Sequence, residues 1–211
     1  MYYIYIMKRS EQLTVEKAKE IFRQAGGVMR TRQALAWGIN PKTLYAMRDK
    51  GTLETLSRGV YRLTEIPLSG SDDLISVAHR VAKGRICLIS ALAYHGLTTQ
   101  IPHFVYCAIP RSACIPQIDY PPVKFFRYSA SCYEAGVEYH EMSGTQVAIY
   151  SPEKTLADCF KYRNRIIGMD TALEALHLYR EQMPLRVDAL MDYARICRVE
   201  KVLKPYLEAT L

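Results

Sequence analysis

The residues from Arg32 to Leu63 constrain this fold more than any others, because they set a helix, a tight turn, a second helix and a hairpin in direct succession. A helical pattern over Arg32–Ala36, with Thr31 placed to cap it and Leu35, Ala36 and Trp37 turned inward, stops at Gly38. The second helix opens on Asn40-Pro41, a capping side chain followed by a residue whose fixed φ suits the first helical position, and runs to Lys50. Its Leu44 and Met47 lie three apart and face a core. The opposite face then carries Lys42, Tyr45 and Ala46, flanked by Thr43, Arg48 and Asp49. Gly51 to Leu63 reads as a two-stranded hairpin, with Gly59 supplying a backbone conformation that other residues resist. Val28–Thr31 can add a short strand to it. Elements in this order describe a winged helix-turn-helix, which presents its second helix to the DNA major groove.

Charge singles out the same segment. The net charge is +7, and between Lys8 and Ile66 twelve Lys/Arg stand against six Asp/Glu, whereas the rest of the chain holds sixteen against fifteen. A basic patch speeds encounter with polyanions and adds sequence-independent affinity through counterion release. Lys42, Thr43, Tyr45 and Arg48 are therefore the candidate base and phosphate contacts of the second helix. Arg58 and Arg62 alternate on the wing, where basic side chains reach backbone phosphates or the minor groove, and Arg30 and Arg32 flank the surface as phosphate contacts. The competing reading is a solvated helix face in a winged helix that binds protein.

Upstream, Val15–Ala25 has helical spacing and ends at Gly26-Gly27. Downstream, Thr64–Ser71 is a linker rich in turn residues. It separates a DNA-binding domain over 8–66 from a second domain over 71–211. Asp72–Val81 is a helix capped by Ser71, Arg85–Ile89 a buried strand, and Ser90–Tyr94 a short helix closed by Gly96. Strand patterns follow at Phe104–Ile109 and Val123–Tyr128, then a hairpin of Val137–Glu141 and Gln146–Tyr150. Ser151-Pro152-Glu153 opens a helix to about Arg163, and Met169–Glu181, Arg186–Cys197 and Val199–Ala209 close the chain as helices. The fold class is α+β: an N-terminal winged helix-turn-helix, then a mixed α+β domain with a helical C-terminus.

Several function classes find no support. The six cysteines lack a C-x-x-C pair and a secretory signal, so they read as reduced thiols of a cytoplasmic protein. His103 and Cys107 fall on a strand too far apart to share a metal without a third element, so no metal is expected. Met1–Ile6 is apolar but too short to span a membrane, and Met7 is a more natural start. Asp158, Lys161 and Arg165 share a helical face, but no carboxylate–lysine nuclease pattern, phosphate-cradling loop or G-x-S-x-G elbow accompanies them. The face reads as an ion-paired amphipathic helix, and no enzyme activity or cofactor is expected. His79, His95, His140 and His177 read as structural or solvated.

The string also resembles a known family. Gly26–Thr31, Gly38–Tyr45 and Leu56–Leu63 are similar to the N-terminal domain of the AbiEi family, and the likeness continues through Ser90–Pro102 and Tyr150–Arg163. These proteins are antitoxins and autoregulators of type IV, abortive-infection toxin–antitoxin systems. The resemblance implies a winged helix that binds inverted repeats in its own promoter and represses the operon. It also implies a C-terminal domain that counters a nucleotidyltransferase-type toxin without a stable complex, and it carries over no catalytic residue. Palindromic operators would be read by a dimer or by two monomers on adjacent half-sites. The alternative is a stand-alone regulator whose C-terminal domain senses a small molecule.

Overall fold

The computed structural model describes residues 14–65, 72–118 and 120–210. The expected N-terminal extension, the linker beyond Glu65 and the Ser71 cap lie outside the described residues. The chain divides into two compact units, the first formed by Met1–Arg80, Asp119–Pro121 and Glu141–Gln146 and the second by Val81–Ile118, Pro122–His140 and Val147–Leu211.

In the first unit, helix α1 (residues 14–24) is followed by strand β1 (Val28–Arg30), α2 (Thr31–Ala36), α3 (Pro41–Asp49), β2 (Leu53–Ser57), β3 (Val60–Leu63) and α4 (Asp72–Arg80). The three strands form a sheet of order β1-β3-β2, all antiparallel, so β3 is flanked on both sides. Side chains alternate across a strand. Met29, Tyr61, Leu63 and Leu53 thus share one face and join Phe22, Ala34, Ile39, Leu44 and Met47 in a core. Burying each of the larger side chains stabilises the unit by about 1.5–3 kcal/mol. Helix α4 packs against β2 and belongs to this unit, not to the second domain in which 71–211 was expected.

Two sequence expectations in this unit are corrected. Thr31 does not cap α2 but is its first residue. Its N–H donates to the Gly59 carbonyl at 2.9 Å, tying the start of α2 to the hairpin turn. Leu35 and Trp37 point outward, 40% and 49% exposed, and Ala36 is exposed too, while Ala34 and Ile39 go into the core. A six-residue helix is too short for its inward face to be fixed by periodicity, and the Gly38–Ile39 turn sets it instead.

The chain continues with β4 (Arg85–Ile86), α5 (Leu88–Tyr94), β5 (Val105–Pro110), β6 (Val123–Tyr128), α6 (Ala130–Glu134), β7 (Val137–Met142) and β8 (Thr145–Tyr150), all in the second unit except the tip of the β7–β8 hairpin, Glu141–Gln146, which belongs to the first. It ends in α7 (Pro152–Tyr162), a π-helical turn over Arg163–Ile167, α8 (Met169–Gln182), α9 (Val187–Cys197) and α10 (Glu200–Thr210). The sheet order is β6-β5-β4-β8-β7, with β4 antiparallel to β5 and parallel to β8. The strand expected over Arg85–Ile89 is only two residues long, because α5 begins at Leu88 with a positive φ of 49°. The β7–β8 turn, Ser143-Gly144, has positive φ at both residues, the turn that matches strand twist in a two-residue hairpin. Helix α6 had no sequence expectation. The core of this unit packs α5, α7, α8, α9 and α10 around the sheet.

Candidate functional site

Local chemistry builds α3. The Asn40 side chain accepts from the Lys42 N–H at 2.9 Å and Pro41 occupies the first helical position, as the sequence predicts. Leu44 and Met47 are fully buried, which fixes the rotation of the helix. Lys42, Tyr45 and Arg48 are then exposed in a row at three-residue spacing, with Thr43 and Ala46 half-buried beside them. The Arg48 guanidinium lies 5.1 Å from the Tyr45 ring centroid and donates from Nε and Nη2 to Asp49 Oδ1 at 2.9 and 2.7 Å. A phosphate must therefore compete with Asp49 for Arg48.

At the hairpin, Arg58 is exposed in the turn and Gly59 has φ +76°. The Thr31–Gly59 hydrogen bond brings this turn to the start of α2, where Arg32 is exposed. Among the described residues, Arg32, Lys42, Lys50 and Arg58 take part in no ion pair, whereas Lys19, Arg23, Arg48 and Arg62 do. Much of the positive excess of the first unit thus stands on exposed, uncompensated side chains at α2, α3 and the hairpin turn. Lys50 and Trp37 were not singled out from the sequence; both are exposed at the ends of the two helices.

Arg62 departs from expectation. It is 4% exposed, its guanidinium pairs with Glu54 directly opposite on β2, and it shares the non-core sheet face with Val28, Val60 and Arg30. The alternation that suggested a solvent-facing wing residue is correct about the face and wrong about exposure, because strands flank β3 on both sides and α4 packs against β2. Arg30 is half-buried on this face, its pKa lowered by burial and then by Arg80. His79, near Arg30, is lowered to about 4 by burial first and Arg30 second, and its Nε2 lies 3.1 Å from Thr145 Oγ1. Of the eight candidate contacts, Arg32, Lys42, Tyr45, Arg48 and Arg58 are exposed, Thr43 and Arg30 are half-buried, and Arg62 is internal.

In the second unit, Asp158, Lys161 and Arg165 do not converge on a surface. Asp158 is fully buried and accepts from Lys154 Nζ at 2.5 Å, an i,i+4 pair with both side chains 0% exposed. Glu153, the residue before Lys154, accepts from the Tyr179 hydroxyl at 2.9 Å and from Arg186 at 3.3 Å. An open cleft of about 350 Å³ is lined by Lys83, Arg85, Tyr133, Glu134 and Tyr139. Its guanidinium is already held by Glu134 and the Tyr133 carbonyl. Among the described residues no group of three or more His, Cys, Asp or Glu side chains could hold a metal, and no helix is long and apolar enough to cross a membrane.

The fold defines a two-unit α+β protein, and it recurs in a solved structure. The RV2827C protein from Mycobacterium tuberculosis superimposes with a TM-score of 0.52 over 90% of this chain and 79% of that chain, at 14% sequence identity. More particularly, residues 16–64 match the family model described as "Transcriptional regulator, AbiEi antitoxin". That segment runs from α1 to the residue after β3 and includes Arg32, Lys42, Lys50 and Arg58. No curated protein shows significant similarity to the sequence.

Proposed function

We propose that the first unit is a winged helix-turn-helix that binds double-stranded DNA, and that the chain is a cytoplasmic, non-enzymatic transcriptional repressor with antitoxin activity. The observation that carries this reading is the capped, core-anchored α3, whose outward row of Lys42, Tyr45 and Arg48 stands with uncompensated Arg32, Lys50 and Arg58. Helix α3 enters the major groove, Lys42 and Tyr45 meet base edges or the adjoining phosphates, and Arg58 reaches a phosphate from the hairpin turn. The match of residues 16–64 to a transcriptional-regulator and antitoxin family supports the regulatory role. In its finer form the proposal has the protein repress its own operon at inverted repeats. It then counters a nucleotidyltransferase-type toxin without forming a stable complex, in the type IV manner.

Fluorescence anisotropy with a mixed-sequence duplex and with DNA from upstream of the gene tests the DNA half. Lys42→Ala and Arg58→Ala each lower the slope of log affinity against log salt by about 0.9 per lost phosphate contact. Arg62→Ala leaves that slope unchanged, because its guanidinium is internal. Parent-like binding by both Lys42→Ala and Arg58→Ala would show that another surface meets DNA. For the antitoxin half, the reading requires a nucleotidyltransferase gene beside this one, and co-expression with it should rescue growth without co-purification. Absence of rescue leaves a DNA-binding regulator alone.

A further inference from the structure

One acidic side chain stands on the outward face of α3, where a polyanion would lie. Asp49 comes seven positions after Lys42 and, at about 100° per residue, returns to within about 20° of it, away from the buried Leu44 and Met47. A bare carboxylate there would repel phosphate and oppose binding. The Asp49 carboxylate is not bare: Arg48 donates to its Oδ1 from Nε at 2.9 Å and from Nη2 at 2.7 Å. The same guanidinium lies over the Tyr45 ring, 5.1 Å from its centroid. Arg48 leaves the helix about 100° away from Asp49, so these two contacts draw its head round onto the outward face.

Attraction to phosphate does not account for the pair. A phosphate contact needs a cation and little orientation, and the acid beside Arg48 subtracts from that pull. Among the described residues, Arg32, Lys42, Lys50 and Arg58 serve that purpose with no ion pair, and Arg48 is the cation of α3 that is held. Reading a base edge makes the opposite demand. Guanine presents two acceptors, O6 and N7, in the major groove, and the planar guanidinium fork meets both only in one orientation. Of the five guanidinium N–H groups, Asp49 takes one on Nε and one on Nη2, which leaves the Nη1–Nη2 end as the fork. The Tyr45 ring supports the group from one side and Asp49 from another, so part of the freedom that a base contact must remove is already gone. Asp49 is also the main cause of a raised Arg48 pKa, with Tyr61 a lesser one, so the group stays charged.

We propose that Arg48 reads a guanine through O6 and N7, and that Asp49 and Tyr45 are the residues that position it. The inference rests on the reading that α3 lies in the major groove, and it adds the base that the helix selects. The preferred duplex then carries a G·C pair beneath the C-terminal turn of α3. Exchange of that pair for A·T sets the adenine N6 amino group, a donor, against a guanidinium that can only donate. Asp49 is a filter in this scheme: it weakens the hold of Arg48 on any phosphate and keeps the fork turned to the base. Its removal lowers selectivity and leaves general affinity equal or higher.

Selection by the full chain from a randomised duplex pool supplies the probe, and fluorescence anisotropy compares the enriched duplex with its single base-pair substitutions. At one G·C pair, change to A·T should weaken parent binding by about 5–150-fold. Guanine replaced there by 7-deazaguanine, which lacks the N7 acceptor, should reproduce part of that loss. Arg48→Ala should bind the G·C and A·T duplexes alike, with a salt slope changed by less than the roughly 0.9 of a lost phosphate contact. Asp49→Ala should cut the discrimination at that pair several-fold yet bind a mixed-sequence duplex at least as tightly as the parent, a split that loss of structure would not produce. Arg48 and Asp49 are exposed, so both variants keep the α3 core, and thermal melts check this. Asp49→Ala that tightens every duplex equally, with discrimination intact, overturns the proposal and makes Asp49 plain repulsion. So does an Arg48→Ala loss that is uniform across sequences and lowers the salt slope by about 0.9, the mark of a phosphate contact. Enrichment of no duplex would overturn the DNA-binding reading itself, and this inference with it.

Discussion

Replacing Asp158 with alanine should destabilise the protein by about 3–5 kcal/mol, and replacing its partner at the same time should recover most of that loss. The carboxylate and the Lys154 ammonium are both 0% exposed and 2.5 Å apart. Without Asp158, the ammonium keeps only the faces of Tyr150 at 4.3 Å and Tyr128 at 5.0 Å. Two aromatic faces return on the order of 2 kcal/mol each at most, less than the several kcal/mol of burying an uncompensated ion. The alternative is to shed the proton, which costs a lysine of ordinary pKa about 4–5 kcal/mol at pH 7 and so caps the penalty. Against a typical total stability of about 5–15 kcal/mol, this is a large fraction. The melting temperature should fall by roughly 6–20 °C for a chain of this size. Lys154→Met combined with Asp158→Leu removes both charges and should lie within about 1.5 kcal/mol of the parent. Urea unfolding followed by circular dichroism, with denaturant slopes compared, measures all three proteins. An Asp158→Ala loss below about 1 kcal/mol would mean that water reaches the pair. A double variant no better than the single would mean that shape, not charge, is what the site requires.

Acid should weaken the first unit through His79. Its folded pKa is lowered to about 4 by burial and by Arg30, so the unfolded chain takes up the proton first as pH falls. Stability is unaffected above the ordinary histidine range and is lost progressively as pH drops from about 6.5 toward 4. At pH 5 the loss should be about 1–2 kcal/mol after allowance for the part-exposed ring, and His79→Gln should abolish that share in urea titrations at the two pH values. Equal acid losses in parent and variant would assign the effect to other groups. Asn40→Ala removes the cap of α3 and should lower stability by about 1 kcal/mol, with Asn40→Asp retaining it. Thermal melts separate the two variants, and an Asn40→Ala protein as stable as the parent would show that the Asn40–Lys42 bond contributes nothing.

Legibility in the sequence followed the range of the interactions. Helix α3 was fully readable because Asn40, Pro41, Leu44 and Met47 act within ten residues of one another. Arg58 was readable because Gly59 marks the turn on which it sits. Arg62 was not, since its burial depends on β1, β2 and α4, which meet β3 only in the folded sheet. Trp37 and Leu35 were misplaced for a similar reason: one short helix offers too few residues to fix which side is inward. Helix α6 went unseen because five residues with no hydrophobic period leave no signature. Asp158 and Lys161 could be placed on one helix, but only packing shows that Asp158 turns into the core while Lys161 stays at the rim.

By itself, then, the sequence determined the α+β class, most of the elements, and the outward row of α3, because caps, prolines and periodicity are local forces. Tertiary structure decided which cations remain free for a polyanion, because compensation depends on which acid a folded sheet or helix sets opposite each one. It also decided that the Lys154–Asp158 pair lies wholly inside the core, since only the packing around α7 removes both charges from water. Local propensity can place a residue on a helix, but charge compensation and side-chain chemistry depend on neighbours that the chain supplies only when it folds.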